Sequence, residues 1–142
     1  SSDLTDALNV KFENCSFSGS YTGKSNGNGG AINAWTNDNV KIGSINSKIE
    51  IIGCTFEDCS ARNGTTQQGG AIRSLTREML VENSTFKDCW ASRGGAIYIA
   101  TGSEIKLEIY GSTFENCTAT AEEGAVYTAA PELIIGDFTY TG

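Results

Sequence analysis

The chain offers few side chains with the chemistry of an active site. Asp58 and Asp88 each stand two residues after a phenylalanine, and paired carboxylates can perform acid–base catalysis or hold a cation. The sequence contains no histidine, which excludes histidine-based proton transfer, Ser-His-Asp triads and most zinc sites. We therefore interpret both aspartates as solvated turn residues, and we predict no enzymatic activity, no cofactor and no metal site.

The five cysteines are the other reactive groups, and they fall at two recurring positions. Cys59, Cys89 and Cys117 each follow a phenylalanine by three residues, whereas Cys15 and Cys54 each precede one by two residues. We predict buried thiols, because free cysteine behaves as a small apolar side chain. The alternative is a disulfide, from Cys15 to Cys54 or within the first group, because a disulfide spans about 4.4–6.8 Å between Cα atoms.

Asparagines provide a third kind of candidate site. Four Asn-x-Ser/Thr triplets begin at Asn14, Asn63, Asn83 and Asn116. Each could carry a glycan if the chain passes through a glycosylating secretory route. Chance occurrence in a polar sequence is the alternative explanation.

These residues belong to a repeated pattern, visible in "CTFEDCSARNGTTQQGGAI", "STFKDCWASRGGAI" and "STFENCTATAEEGAV". An alternating apolar pair precedes each phenylalanine, and Gly-Ala-Ile or Gly-Ala-Val follows it. Alternation with period two predicts strands with one buried face. The aligned phenylalanines are Phe17, Phe56, Phe86 and Phe114, and the aligned aliphatic residues after the glycines are Ile32, Ile72, Ile97 and Val126.

Conserved spacing inside each repeat, with filler of variable length between repeats, is typical of a solenoid. We predict an all-β fold, a parallel β-helix of about four to five coils, in which like residues stack in columns. The core columns are the phenylalanines, the aliphatic residues and the cysteines Cys59, Cys89 and Cys117. Residues 1–142 form one domain, with 1–9 as an N-terminal cap or linker and 10–138 as repeats. A globular β-sandwich is the alternative fold.

An outward column is also expected. Tyr98 and Tyr127 follow the aligned Ile or Val, so they should lie in one file with Asn33 and Arg73. A row of exposed aromatic rings can stack on sugars or on a protein partner. The rings can instead support each other as neighbours on adjacent strands.

The repeats resemble those of polymorphic outer membrane proteins and related right-handed β-helix adhesins, in which Phe-x-x-Asn is followed by Gly-Gly-Ala-Ile. The resemblance covers about residues 10–138 and implies a right-handed helix at the cell surface or outside the cell. The sequence departs from that pattern in two places: cysteine or Ser20 replaces the asparagine, and Glu123-Gly124 replaces the last Gly-Gly.

The composition limits the classes of partner that the chain is expected to bind. The net charge of −7 and the pI of about 4.5 argue against nucleic acid, which attracts basic surfaces. No apolar run is long enough to span a membrane. We expect at most a thin cap at the N-terminal end of the solenoid and none at the C-terminal end, which favours self-association through those ends.

Three functions follow from these observations. The first is a non-enzymatic extracellular structural protein that joins end to end into a fibre or surface assembly. The second is an adhesin or surface-display module that binds glycans or other cell-surface ligands. The third is a β-helix that binds or cleaves polysaccharide.

Overall fold

The computed structural model describes residues 8–22, 27–34, 47–61, 66–74, 76–99, 106–122, 124–128, 132–136 and 139–141. The described residues form strands and turns only, with no helix among them. The strands occur in a fixed order along the chain and distribute over four sheets. Every strand pairing is parallel.

The two larger sheets contain five strands each. The first sheet consists of β1 (Leu8–Glu13), β5 (Ser47–Ile52), β9 (Glu78–Glu82), β13 (Lys106–Tyr110) and β17 (Glu132–Gly136), in that order. The second sheet consists of β2 (Ser16–Ser18), β6 (Thr55–Glu57), β10 (Thr85–Lys87), β14 (Thr113–Glu115) and β18 (Thr139–Thr141).

The two smaller sheets contain four strands each. The third sheet consists of β3 (Tyr21–Thr22), β7 (Ser60–Ala61), β11 (Trp90–Arg93) and β15 (Thr118–Glu122). The fourth sheet consists of β4 (Ile32–Ala34), β8 (Ile72–Ser74), β12 (Ile97–Ile99) and β16 (Val126–Tyr127).

Each of the first four sequence repeats therefore supplies one strand to every sheet. The first four repeats are β1–β4, β5–β8, β9–β12 and β13–β16, and β17–β18 belong to a fifth. Each strand pairs with the corresponding strand of the next repeat. This arrangement is consistent with a β-solenoid. Residues at one position of successive repeats form a column.

The phenylalanine column lies in the second sheet. Phe17, Phe56, Phe86 and Phe114 are in register, with ring centroids 4.9, 4.7 and 4.8 Å apart and interplanar angles of at most 7°. The spacing of the rings matches the distance of about 4.7–4.9 Å between hydrogen-bonded strands. The strand register thus sets the ring stack.

The fourth and first sheets complete the core. Ile72 and Ile97 are fully buried and lie in register with Ile32 and Val126, which are partly buried and pack against the core. The first sheet contributes inward pairs such as Ile49 and Ile51, which face the core because strand side chains alternate. Within the described part of the fourth sheet, the inward residues of β8 and β12 are buried, and those of the outer strands β4 and β16 are partly exposed.

Repeat boundaries differ from the expected 10–138. β1 begins at Leu8, so the last two residues of the predicted cap belong to the first strand, and residues 1–7 lie outside the described part. The fifth repeat continues to Thr141, and Tyr140 takes the position next to Phe114.

The first sheet's outward side is charged, with exposed pairs such as Lys11–Glu13 at 2.6 Å.

The two glycines before each Ala-Ile have different tasks. Gly69 and Gly94 have positive φ, 71° and 61°, and make the turn into the strand. Gly70 has no room for a side chain, since a Cβ there would lie 2.7 Å from the backbone nitrogen and oxygen of Trp90. The glycine beside the alanine therefore does not make the turn. That glycine is needed because the backbone of the next repeat approaches it closely.

Candidate functional site

The corners between the sheets gather most of the residues that the sequence singled out. In the described part of the chain, every residue with positive φ belongs to one of three columns. The first column is Asn14, Gly53, Asn83 and Gly111; the second is Gly19, Asp58, Asp88 and Asn116; the third is Gly29, Gly69 and Gly94. Glycine, asparagine and aspartate are the residues that adopt this left-handed conformation most readily. The corners thus explain why these residue types recur.

Thiol and hydroxyl side chains follow the first two corner columns directly. The side chain donates to the backbone carbonyl two residues earlier in Cys54 Sγ to Ile52 O (3.4 Å), Ser84 Oγ to Glu82 O (3.0 Å) and Cys89 Sγ to Lys87 O (3.5 Å). The same geometry recurs in Cys15, Cys59, Ser112 and Cys117.

The same side chains also approach the previous repeat. Cys117 Sγ lies 3.3 Å from Phe86 O, and Cys54 Sγ lies 3.2 Å from Phe12 O. Ser84 reaches Ile51 O in the same way at 3.4 Å. A thiol and a hydroxyl therefore perform one structural task here, which is to satisfy carbonyl oxygens beside a corner.

The cysteines are all free thiols. Cys54, Cys59, Cys89 and Cys117 are buried, whereas Cys15, in the first repeat, is partly exposed. Hydrogen bonds with Cys117 and Cys59, in which Cys89 keeps its proton, raise the pKa of Cys89 together with burial. Burial raises the pKa of Cys54. Both thiols therefore stay protonated near neutral pH, and a protonated thiol is a poor nucleophile.

The predicted alternative of a Cys15–Cys54 disulfide is not observed, and both residues are thiols. In-register residues of parallel strands point the same way, so their Cβ atoms keep the strand spacing of about 4.7–4.9 Å. A disulfide needs a Cβ separation of about 3.5–4.5 Å and converging side chains. The Cα separation alone, on which the alternative depended, is therefore an insufficient criterion.

Asp58 and Asp88 lie on adjacent repeats and are exposed. Their φ angles are 52° and 54°, and their backbone nitrogens donate to Lys87 O and Glu115 O of the next repeat. Within the described ranges, no cluster of three or more Cys, Asp or Glu residues could hold a metal ion. The geometry thus gives both aspartates a turn position.

Three of the four predicted glycosylation sites lie at corners. Asn14, Asn83 and Asn116 are exposed and have positive φ, and Asn63 lies outside the described residues. A Cβ on Gly53 would lie 2.5 Å from Asn14 Oδ1, so the amide of Asn14 covers the glycine of the next repeat. These asparagines have a structural reason to be present, and glycosylation stays a prediction.

The outward column of the fourth sheet has the predicted register, Asn33 to Arg73 to Tyr98 to Tyr127. The two tyrosine rings stack at 4.8 Å with an interplanar angle of 10°. Tyr98 is only 8% exposed, so the expectation of an exposed aromatic row is wrong at this residue. Arg73 is half-buried, burial lowers its pKa, and its Nε donates to Gln68 Oε1 at 2.8 Å.

Sequence reasoning missed the corner columns as such. The available signal was that only glycine, asparagine or aspartate stands directly before each aligned cysteine or serine. It also missed Gln67, which is fully buried and whose Oε1 lies 3.4 Å from Ser92 Oγ.

Comparison of the chain with protein-family models, with curated proteins and with solved structures finds no match in any of the three. The resemblance to polymorphic outer membrane protein repeats therefore stays a prediction. No helix with the length and apolar character of a membrane span occurs in the described segments.

Proposed function

We propose that the chain is a right-handed parallel β-helix that serves as a non-enzymatic structural protein outside the cell, with copies that associate end to end into a fibre or surface assembly. The support for the fold is the strand order, since each of the first four repeats contributes its strands to the same four sheets in the same order. Connections between parallel strands of one sheet are right-handed in nearly all proteins.

The observation that carries the proposal is that the aromatic column reaches both outermost strands of the second sheet. Phe56, Phe86 and Phe114 are fully buried, whereas Phe17 in β2 is partly exposed and Tyr140 in β18 is 49% exposed. Edge strands present backbone groups that can pair with another chain.

A second copy that pairs in register with this edge would bring Tyr140 of one copy against Phe17 of the other. Such a contact joins two different surfaces, and a head-to-tail contact that does not close generates a filament. The same contact would extend the ring stack by one position at every junction.

The test compares two tyrosine-to-lysine variants. Tyr140→Lys puts a charge on β18, the outermost strand of the second sheet. Tyr110→Lys makes the same substitution at a half-buried residue of β13. We expect wild type and Tyr110→Lys to form elongated particles in negative-stain microscopy. Their sedimentation coefficients should increase with protein concentration in sedimentation velocity. We expect Tyr140→Lys to remain monomeric.

Two outcomes would contradict the proposal. Wild-type protein could remain monomeric at the highest attainable concentration, or Tyr140→Lys could assemble as well as wild type. Circular dichroism of both variants serves as the control for folding.

The second candidate is an adhesin or surface-display module, with binding of glycans or other cell-surface ligands, or of polysaccharide, at a lateral face. Its support is the cluster of exposed Asn33 with half-buried Arg73, Gln68 and Tyr127. Arginine is suited to carboxylate groups, and tyrosine to sugar rings. If this candidate is right, Arg73→Gln should abolish binding on a glycan array without affecting assembly.

A further inference from the structure

Cys15 and Cys54 occupy one position in adjacent repeats. The register pairs Glu13 with Ile52 before them and Ser16 with Thr55 after them, and Thr55 N donates to Cys15 O at 2.9 Å. Both thiols also have the same orientation. Cys15 Sγ lies 3.5 Å from Glu13 O, and Cys54 Sγ lies 3.4 Å from Ile52 O.

Since the two side chains are related by a step of one strand, their sulfurs are separated by roughly the strand spacing of 4.7–4.9 Å. That separation is too long for an S–S bond of about 2.05 Å. It is also unsuited to zinc, which takes four ligands in a tetrahedron. One ion can lie between two sulfurs at about this separation, because a zinc–thiolate bond is about 2.3 Å and two bonds of that order in line span about 4.6 Å.

We propose that Cys15 and Cys54 bind one soft monovalent cation of the Cu(I) class in linear, two-coordinate geometry. Thiolate ligands select Cu(I) because both partners are soft. In the binding step two S–H bonds break, two S–Cu bonds form, and two protons leave to solvent while copper remains in the +1 state. The bound unit has a net charge of −1, and the partly exposed Cys15 gives it contact with water.

The other cysteine column sharpens the inference. Cys59, Cys89 and Cys117 repeat the same geometry, but each is at most 1% exposed. A partly exposed thiol is present only in the first column. We therefore expect the folded protein to load the Cys15–Cys54 pair and to leave the buried column empty.

The experiment titrates the reduced full chain anaerobically with Cu(I) against a chromophoric Cu(I) chelator, and native mass spectrometry gives the stoichiometry. Wild type should bind one copper, with a charge-corrected mass gain of one copper minus one proton, because Cu(I) itself carries one of the two positive charges that the lost protons carried. Cys54→Ser should lower the affinity at least tenfold. This variant should fold, because Ser84 and Ser112 hold the same position in the next repeats.

Cys89→Ser is the matched control, since it removes a thiol from the buried column only. It should bind copper as wild type does, and Cys15→Ser should reproduce the loss seen in Cys54→Ser. The proposal is overturned if wild type binds no copper, if Cys54→Ser retains wild-type affinity, or if Cys89→Ser loses it. Copper-edge X-ray absorption should show two sulfur neighbours, and three or more would contradict the linear site.

Discussion

At the corners of the first two columns, a left-handed residue precedes a small side chain with an S–H or O–H group. Asp88 and Cys89 are one such pair, and Asn83 and Ser84 are another. The first residue turns the backbone, and the second adds a hydrogen bond to a carbonyl that also accepts a backbone N–H from the previous repeat. Serine and cysteine can replace each other here because both donate over a short reach.

Cys89→Ser should therefore be tolerated better than Cys89→Ala. Alanine removes the donor to Lys87 O and leaves a void in the core, which should cost about 1–3 kcal/mol. Serine keeps the donor, and we expect it to recover at least half of that loss. Urea denaturation of both variants measures the difference, and an equal loss would contradict a hydrogen-bonding role for the thiol.

At Asn83, the cost of the left-handed backbone conformation can be separated from the contribution of the side-chain amide. Asn83→Gly should change the free energy of unfolding little, because Gly53 and Gly111 hold the same corner in the neighbouring repeats. Asn83→Ala should cost about 1–2 kcal/mol, because its φ of 49° is unfavourable for alanine. Thermal denaturation checks both values. An equal cost for the two variants would mean that the lost amide contact, not the backbone conformation, dominates.

At the scale of elements, each strand is held by the matching strand of the next repeat. The second sheet consists of strands of three residues, which alone would be unstable. Stacking of their central phenylalanines adds buried aromatic area to the backbone pairing. The ring column is therefore a main source of stability for these short strands.

Phe86→Ala should destabilise the protein by about 3–5 kcal/mol, because it leaves a large void between two stacked rings. Phe17→Ala should cost clearly less, since Phe17 is partly exposed and has one stacked neighbour in the column. Chemical denaturation of both variants measures the ratio. Equal losses would contradict the idea that burial within the column sets the cost.

The glycine before the alanine in each repeat tests how closely the backbones of neighbouring repeats approach each other. Gly70→Ala should cost about 3 kcal/mol or prevent folding, because its Cβ would collide with the backbone of Trp90. Gly124→Ala is the matched control, since the nearest atom to its Cβ would be Tyr140 Oη at 3.4 Å. Solubility and melting temperature distinguish the two. A tolerated alanine at Gly70 would contradict the tight contact between repeats.

The columns of the core could be predicted from the alignment because a parallel stack places like residues side by side. The phenylalanines and the Ala-Ile strands recur at constant spacing from their corners, so register follows from sequence. The fifth repeat could not be aligned in this way, because Tyr140 replaces phenylalanine and stands two residues after the more obvious Phe138. The burial of Tyr98 could not be predicted either, since it depends on neighbours such as Arg73 and Tyr127 and not on strand alternation.

At the scale of the whole molecule, each repeat pairs only with the repeat before it and the repeat after it. Stability in such a chain is approximately a sum over repeats and their interfaces. The second and third repeats have neighbours on both sides and contain most of the fully buried side chains. The first repeat has a single described neighbour and a partly exposed core.

Hydrogen exchange should therefore show a gradient along the chain. Amides of β9–β12 should exchange most slowly, and those of β1–β4 should exchange at least tenfold faster, because outer repeats can open without disturbing the middle. Mass spectrometry of exchanged peptides measures this directly. Uniform protection across all repeats would mean that the chain opens as one cooperative unit.

The shared register of all repeats has an evolutionary consequence. If the third repeat were deleted, Phe56 would meet Phe114, Ile72 would meet Val126, and Gly53 would meet Gly111, so every corner and core position would find a compatible neighbour. Gain or loss of one genetic unit would thus alter the length of the protein while preserving its cross-section, which makes unequal recombination a tolerable route of change for this chain.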